Sequence, residues 1–161
     1  MEKTLLGRTG LQVSRVTYGG IVSMRESQES SDRYVATAVD RGVNYFDVAP
    51  SYEDAEERLG PSLKPYRNKV YLACKTGKRD AAGAKKELLE SLKTLQTDYF
   101  DVYQLHGMAT DEDLEQAFGA NGAMETLVWA KKEGLIRNIG ITTHSEDCVL
   151  ISLRLIPFFF R

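Results

Sequence analysis

The sequence predicts an α/β fold of about five parallel strands with flanking helices. Three observations predict it. Short runs rich in β-branched and aromatic residues alternate with amphipathic stretches, and that alternation implies parallel strands joined by right-handed crossovers. No strand is followed by the dinucleotide fingerprint G-x-G-x-x-G. Ionisable residues recur at the carboxyl ends of successive strands, where barrel enzymes place their chemistry. The alternation alone leaves an open doubly wound sheet or a closed barrel; the missing fingerprint argues against a Rossmann domain.

In chain order, residues 13–20 (VSRVTYGG) read as a short strand ending in glycines. Residues 28–42 read as a helix, with Val35 and Val39 on one face and Ala36 and Ala38 beside them. Ser30, Ser31 and Asp32 are its candidate N-caps and Gly42 its carboxyl cap. Residues 43–49 (VNYFDVA) form the next strand. Residues 53–68 form a short helix broken around Gly60 and Pro61. A strand over 69–77 (KVYLACKTG) leads to a helix over 81–96 with Leu88, Leu92 and Leu95 on one face and Leu89 beside them. Residues 98–107 (DYFDVYQLHG) are a strand. The connection 108–122 is acidic in its first half and holds a short surface helix, a solvated face with no special role. Residues 121–135 form a helix with Leu127 and Val128 inward and Gly134 at its end. Residues 136–145 (IRNIGITTHS) are the fifth strand.

The bulk properties exclude several classes. A chain of 161 residues is long enough for one domain with a sizeable core. A net charge of −2 gives no reason to expect a nucleic-acid or membrane-surface partner. Cys74 and Cys148 are isolated, so neither a disulfide framework nor a metal cluster is expected, which fits a reducing compartment. No apolar run reaches the roughly 18 residues of a membrane span, and the start MEKTLLGRTG has no long apolar region of a signal peptide. The expected location is cytoplasmic.

Strand parity sharpens the reading. Val43, Tyr45 and Asp47 share a face, as do Tyr71, Ala73 and Lys75, and as do Phe100, Val102, Gln104 and His106. If Phe46, Val48, Leu72 and Cys74 pack against helices, then Asp47, Lys75 and His106 all point inward at one end of three consecutive strands. Tyr52 follows in the loop above Asp47. Singly, each has a structural explanation: a cap, a snorkelling lysine, a satisfied core histidine, a surface aromatic. Together they make a poor core, and burying Lys75 unpaired would be costly, so Asp47 and Lys75 are expected to pair.

The sequence resembles the aldo-keto reductase family. The resemblance rests on LGRTGLQVSRVTYGG, on the D-x-A-x-x-Y-x-x-A-E pattern of Asp47, Ala49, Tyr52, Ala55 and Glu56, on the strand ending in Lys75, on YFDVYQLHG ending in His106, and on KKEGLIRNIGIT. It runs to about Ser145. It implies a (β/α)8 TIM barrel, a partial one here, that reduces aldehydes or ketones with NADPH or NADH. It also implies a catalytic tetrad of Asp47, Tyr52, Lys75 and His106. Tyr52 would be the proton donor. Lys75 would favour its phenolate, since a free tyrosine titrates near 10. Asp47 would anchor Lys75, and His106 would orient the carbonyl. Thr142 and Thr143 fall where the family holds the nicotinamide carboxamide, although β-propensity explains them equally well. Gly19 and Gly20 are expected near the ribose. Asp47 is counted with these cofactor contacts.

Three departures from the family pattern stand out. Glu53 occupies a position that is often glycine in the family, which implies local strain if its φ is positive. A full barrel needs about 250 residues, so residues 1–147 are read as an incomplete barrel lacking strands six to eight and most of the dinucleotide grip. Its two open edges invite self-association. Residues 148–161 read as an atypical apolar carboxy-terminal tail, in which Phe158, Phe159 and Phe160 have no sheet to enter. The alternative function is therefore an inactive truncated or regulatory barrel fragment. No metal is expected: a barrel hydrolase using His106, His144 and Asp47 would lack the first-strand H-x-H and would set Lys75 against the metal.

Overall fold

The computed structural model describes residues 1–155. Five parallel strands, β3 (Tyr18–Gly19), β4 (Tyr45–Asp47), β5 (Tyr71–Thr76), β6 (Phe100–Leu105) and β7 (Ile136–Ile141), lie side by side in chain order. Doubly wound sheets reverse their order at a switch point. This sheet does not, so every crossover advances in one direction, as in a barrel wall. The α-helices among the described residues are α1 (Gln28–Asp40), α2 (Ala55–Leu63), α3 (Ala81–Thr94), α4 (Asp111–Phe118), α5 (Ala123–Lys132) and α6 (Glu146–Leu155).

Alternation along the strands sorts the core into two layers. Phe46, Val48, Leu72, Cys74, Tyr103 and Leu105 pack with Val35, Leu59, Leu88 and Leu127 of the helices. On the other face Ala73 and Val102 meet Leu11 and Val13. Leu11 and Val13 belong to an amino-terminal hairpin, in which β1 (Lys3–Leu5) pairs antiparallel with β2 (Gln12–Ser14). Residues 13–20 are thus not one strand. The Asn44 side chain accepts from Ser14 N at 2.6 Å and donates to Gln12 O, while the Ser14 hydroxyl donates to Val16 O. These bonds turn the backbone between β2 and β3.

Other expectations need adjustment. The N-cap of α1 is Ser27, whose hydroxyl accepts from Ser30 N. Asp32 instead accepts from the Ser62 hydroxyl of α2 at 2.6 Å, and the Ser31 hydroxyl lies 3.0 Å from the same oxygen. Helix α2 runs through Gly60 and Pro61 without a break. Gly60 lets α2 lie against the end of α3, because a Cβ there would sit 2.7 Å from Thr94 O. The acidic connection does hold a short helix, α4, closed by a Thr110–Asp113 capping box. Helix α6 spans the boundary expected at residue 147, burying Cys148 and Ser152 and exposing Leu150. Phe158, Phe159 and Phe160 lie outside the described residues.

An ionic knot ties the amino ends of the strands. Asp101, 1% exposed, accepts from Leu72 N at 3.0 Å and pairs with Arg67 at 3.1 Å and Arg137 at 3.5 Å. The two guanidiniums stack on Tyr99, 4.3 and 4.0 Å from its ring centre. Among the described residues no helix is long and apolar enough to cross a membrane.

Candidate active site

The opposite, carboxyl ends of the strands carry the predicted cluster. Lys75 is the penultimate residue of β5 and only 3% exposed. Its ammonium donates to Asp47 Oδ2 at 2.6 Å, to Val48 O at 3.0 Å and to the Tyr52 hydroxyl at 3.4 Å. Three protons meet three acceptors, so the buried charge is fully partnered. Asp47 ends β4, and its second oxygen accepts from Gln104 Nε2 of β6 at 3.1 Å. Side chains from β5 and β6 thus converge on one carboxylate of β4. Gln104 shares His106's parity, and that shared face was its signal in the sequence.

Tyr52 stands on the turn leaving β4, which is closed by bonds from Tyr52 N to Ala49 O and from Ala55 N to Tyr52 O. The next residue, Glu53, has φ +46°, the left-handed conformation that the family's glycine would accept without strain. Its carboxylate pairs bidentately with Arg25, itself at φ +61°, and Arg25 N donates to Asp54 Oδ1 at 2.7 Å. The two strained loops clip each other beside the phenol.

His106 follows β6 immediately and donates its backbone N–H to Thr76 O. Its ring meets Tyr52 edge-on, with centroids 6.0 Å apart. The ring nitrogen Nδ1 lies 3.5 Å from the Ser51 hydroxyl. Burial holds the imidazole below its usual 6.5, and Lys75 and Arg79 push the same way, while Asp47 and Glu87 oppose them. The ring is therefore neutral at pH 7 and keeps one N–H to donate.

The site contains a device that is hard to read from the sequence. Arg79, after β5, donates from Nε to Asp113 Oδ1 at 2.7 Å and from Nη2 to the carbonyls of His106 and Gly107 at 2.9 and 3.2 Å. Asp113 lies in the helix that the sequence suggested had no special role. Its partner is 34 residues away, beyond any local pattern.

The expected cofactor contacts divide. A Cβ on Gly19 would meet only Ile21 at 3.9 Å, whereas one on Gly20 would sit 2.8 Å from Val48 Cβ and 3.0 Å from Asp47 O. Gly19 leaves room for a ligand; Gly20 lets β3 close on β4. Thr142 Oγ1 accepts from Gly107 N at 2.9 Å, and Thr143 Oγ1 accepts from Ser145 N at 2.8 Å. Both hydroxyls therefore help shape the loops beyond β6 and β7. Among the described residues no group of three or more His, Cys, Asp or Glu side chains could hold a metal ion. A cleft of about 480 Å³ opens away from the tetrad, lined by Glu56, Glu87, Glu90 and Ser91 among others. Its Glu56 carboxyl, raised above its usual range by burial, accepts from the Cys74 thiol at 3.3 Å. The converging polar groups of Asp47, Tyr52, Lys75 and His106 lie at the strand ends and not in this cleft.

Comparison with known proteins places the site in context. The model of the aldo/keto reductase family matches residues 16–149. The chain is 30% identical to the uncharacterized oxidoreductase YqkF of Bacillus subtilis, covering 89% of this chain and 49% of that protein. It is 32% identical to the aldo-keto reductase YhdN of the same organism, covering 91% and 48%. The holo form of aldo-keto reductase AKR11C1 from Bacillus halodurans superimposes with a TM-score of 0.85 at 30% identity, covering 96% of this chain and 54% of that one. The chain spans about half the length of the curated relatives it matches.

Proposed function

The chain belongs to the aldo/keto reductase family, and from that premise we propose that it reduces aldehydes or ketones to alcohols with NADPH or NADH. The observation that carries this is the Lys75 ammonium held between Asp47 and the Tyr52 hydroxyl. When bound, the reduced nicotinamide supplies the hydride. The residues of the chain do the rest. Tyr52 gives its hydroxyl proton to the carbonyl oxygen as negative charge develops there. The Lys75 cation, 3.4 Å away, stabilises the phenolate left behind. Asp47 keeps that cation in place, and Gln104 keeps Asp47 in place. His106, neutral and set against Tyr52, donates its N–H to the same carbonyl oxygen and fixes which face is presented.

The residues present fit the nicotinamide end of such a cofactor. Gly19 leaves space at the end of β3, Asp47 lies beside it, and Thr142 and Thr143 bring hydroxyls to the loops next to His106. Phosphate sites of such barrels lie after the seventh and eighth strands, outside the five described. The reading carries with it a small carbonyl substrate, a cytoplasmic setting and no nucleic-acid partner. It extends to pairing between copies, because β3 and β7 are the outer strands of the sheet.

The test is direct. NADPH fluorescence should change saturably on titration with the chain, and Tyr52→Phe should abolish most reduction while leaving that binding intact. Absence of saturable binding favours the alternative, a regulatory or inactive barrel fragment. An unchanged rate in Tyr52→Phe removes the proton-donor role. Sedimentation separates a paired sheet edge from a lone one.

A further inference from the structure

Among the described residues, the polar anchor of the His106 ring is the Ser51 hydroxyl at 3.5 Å. The ring's direction is therefore set by the backbone that carries it. That backbone leaves β6 and turns at once through Gly107 at φ +62°. The turn is pinned from several elements. His106 N donates to Thr76 O on β5, Gly107 N donates to Thr142 Oγ1 after β7, and Met108 N donates to Thr142 O. The remaining polar groups are two successive carbonyls, those of His106 and Gly107. Both converge on one guanidinium.

We propose that Arg79 is the positioning residue for His106. Its Nη2 donates to both carbonyls at once, and Asp113 holds Nε at the other side of the same plane. Arg79 Nε donates to Asp113 Oδ1, and Asp113 Oδ2 accepts from Ala109 N and Thr110 N of the same connection. Arg79 Nη1 also reaches Gly77 O at 3.3 Å. The pair is mostly sheltered, with side chains 15% and 23% exposed, so it is ordered rather than a loose surface contact. A lysine has one nitrogen, so it could reach the carbonyls but could not also hold Asp113 from a second, coplanar nitrogen as Nε does here. Arg79 thereby links the loops after β5 and β6 to the start of α4, and it fixes the ring that faces Tyr52. The charged groups facing the imidazole are Lys75 on β5, Asp47 on β4, Glu87 on α3 and Arg79 itself.

The role assigned to Arg79 rests on the reading of His106 as the carbonyl-orienting group, but its decisive measurement needs no cofactor. The chain has two histidines, His106 and His144, so imidazole NMR signals are assigned with a single His144→Asn variant. In Arg79→Met the contact between the His106 and Tyr52 rings, read as a nuclear Overhauser effect, should be lost. The His106 midpoint should move up, because a nearby cation has gone. Arg79→Lys keeps the charge and loses the fork, so its midpoint should stay near that of the parent while the ring contact weakens. Where reduction is measurable, kcat should fall by about ten- to a hundredfold in Arg79→Met with little change in KM, as expected for a misplaced orienting group. Arg79→Lys should recover part of that loss. A folded Arg79→Met chain with parental ring contact and midpoint overturns the proposal. If Arg79→Met does not fold, an unchanged ring contact in Arg79→Lys overturns it. Loss of NADPH binding by the parent chain would strike the reductase reading and leave these NMR outcomes to judge Arg79.

Discussion

Replacing Asp47 by Asn should cost far more than replacing Lys75 by Met, and that asymmetry tests how the buried charge is maintained. Lys75 is 3% exposed and Asp47 is 26% exposed, with 2.6 Å between ammonium and carboxylate. At an effective dielectric of about 20, the gross attraction over that distance is roughly 6 kcal/mol. Water reaching the open side of Asp47 screens part of it. Removing the carboxylate leaves a sheltered cation with Val48 O, Tyr52 and a neutral amide, at a cost of about 3–5 kcal/mol. In a chain of this length that lowers Tm by on the order of 10 °C. Lys75→Met removes the charge that is expensive to bury and leaves Asp47 with Gln104 and water, so its cost should be roughly 1–2 kcal/mol. The double variant should return close to the parent, giving a coupling energy of about 2 kcal/mol or more. Urea unfolding followed by circular dichroism measures all four proteins. If Asp47→Asn costs under about 1 kcal/mol and the two single changes simply add, Lys75 is not held by Asp47 in the way described.

Further outcomes follow from other features. Gly20→Ala should destabilise by about 1–3 kcal/mol and reduce activity, since its Cβ would press on Val48 and on the Asp47 backbone; a neutral result in a chemical melt contradicts that close approach. Stability should fall in two stages on acidification. His106 has a folded midpoint below its unfolded 6.5, so the unfolded chain binds more protons there and stability drops as pH falls below 6.5. Asp113 is held at about 2 against 3.8, chiefly by the Arg79 hydrogen bond, so its contribution is full above 3.8 and is lost as pH falls toward 2. His106→Gln should erase the upper stage and Asp113→Asn should shrink the lower, to which Asp32, Glu53 and Asp54, also held low by their hydrogen bonds, contribute; urea midpoints that stay flat between pH 7 and 5 argue against a depressed His106. Cys74 and Cys148 are both buried, and burial pushes the Cys74 thiol up, so neither should react with a thiol reagent until the chain is denatured. Rapid labelling of the native chain would falsify their placement.

Much of the site was legible because strand geometry is simple. Side chains alternate with a period of two, so Asp47 and Lys75 could be put on one face and paired from the sequence alone. The same rule put Gln104 on the face of His106 without singling it out, because its bond to Asp47 depends on the register of β4, β5 and β6. Helix faces were legible too: Leu88, Leu92 and Leu127 are buried as their spacing implied. What escaped depends on distant partners. Asn44 splits the run 13–20 from a strand away. Gly60 and Pro61 look like a break until α3 supplies the surface that Gly60 accommodates. Arg79 and Asp113 each look like ordinary surface charges until the fold brings them together. The positive φ anticipated at Glu53 is present, but its Arg25 counterpart is 28 residues away and carried no local sign.

The knot around Asp101 has a consequence for how this architecture can change over generations. It fixes β5, β6 and β7 relative to one another at the end farthest from Lys75. Strand alignment is thus secured by residues outside the candidate site. Loops at the other end can be exchanged, lengthened or strained, as Arg25 and Glu53 are, without any strand slipping by a residue. Change in the loops and preservation of the scaffold are then separable, carried at opposite ends of the same three strands.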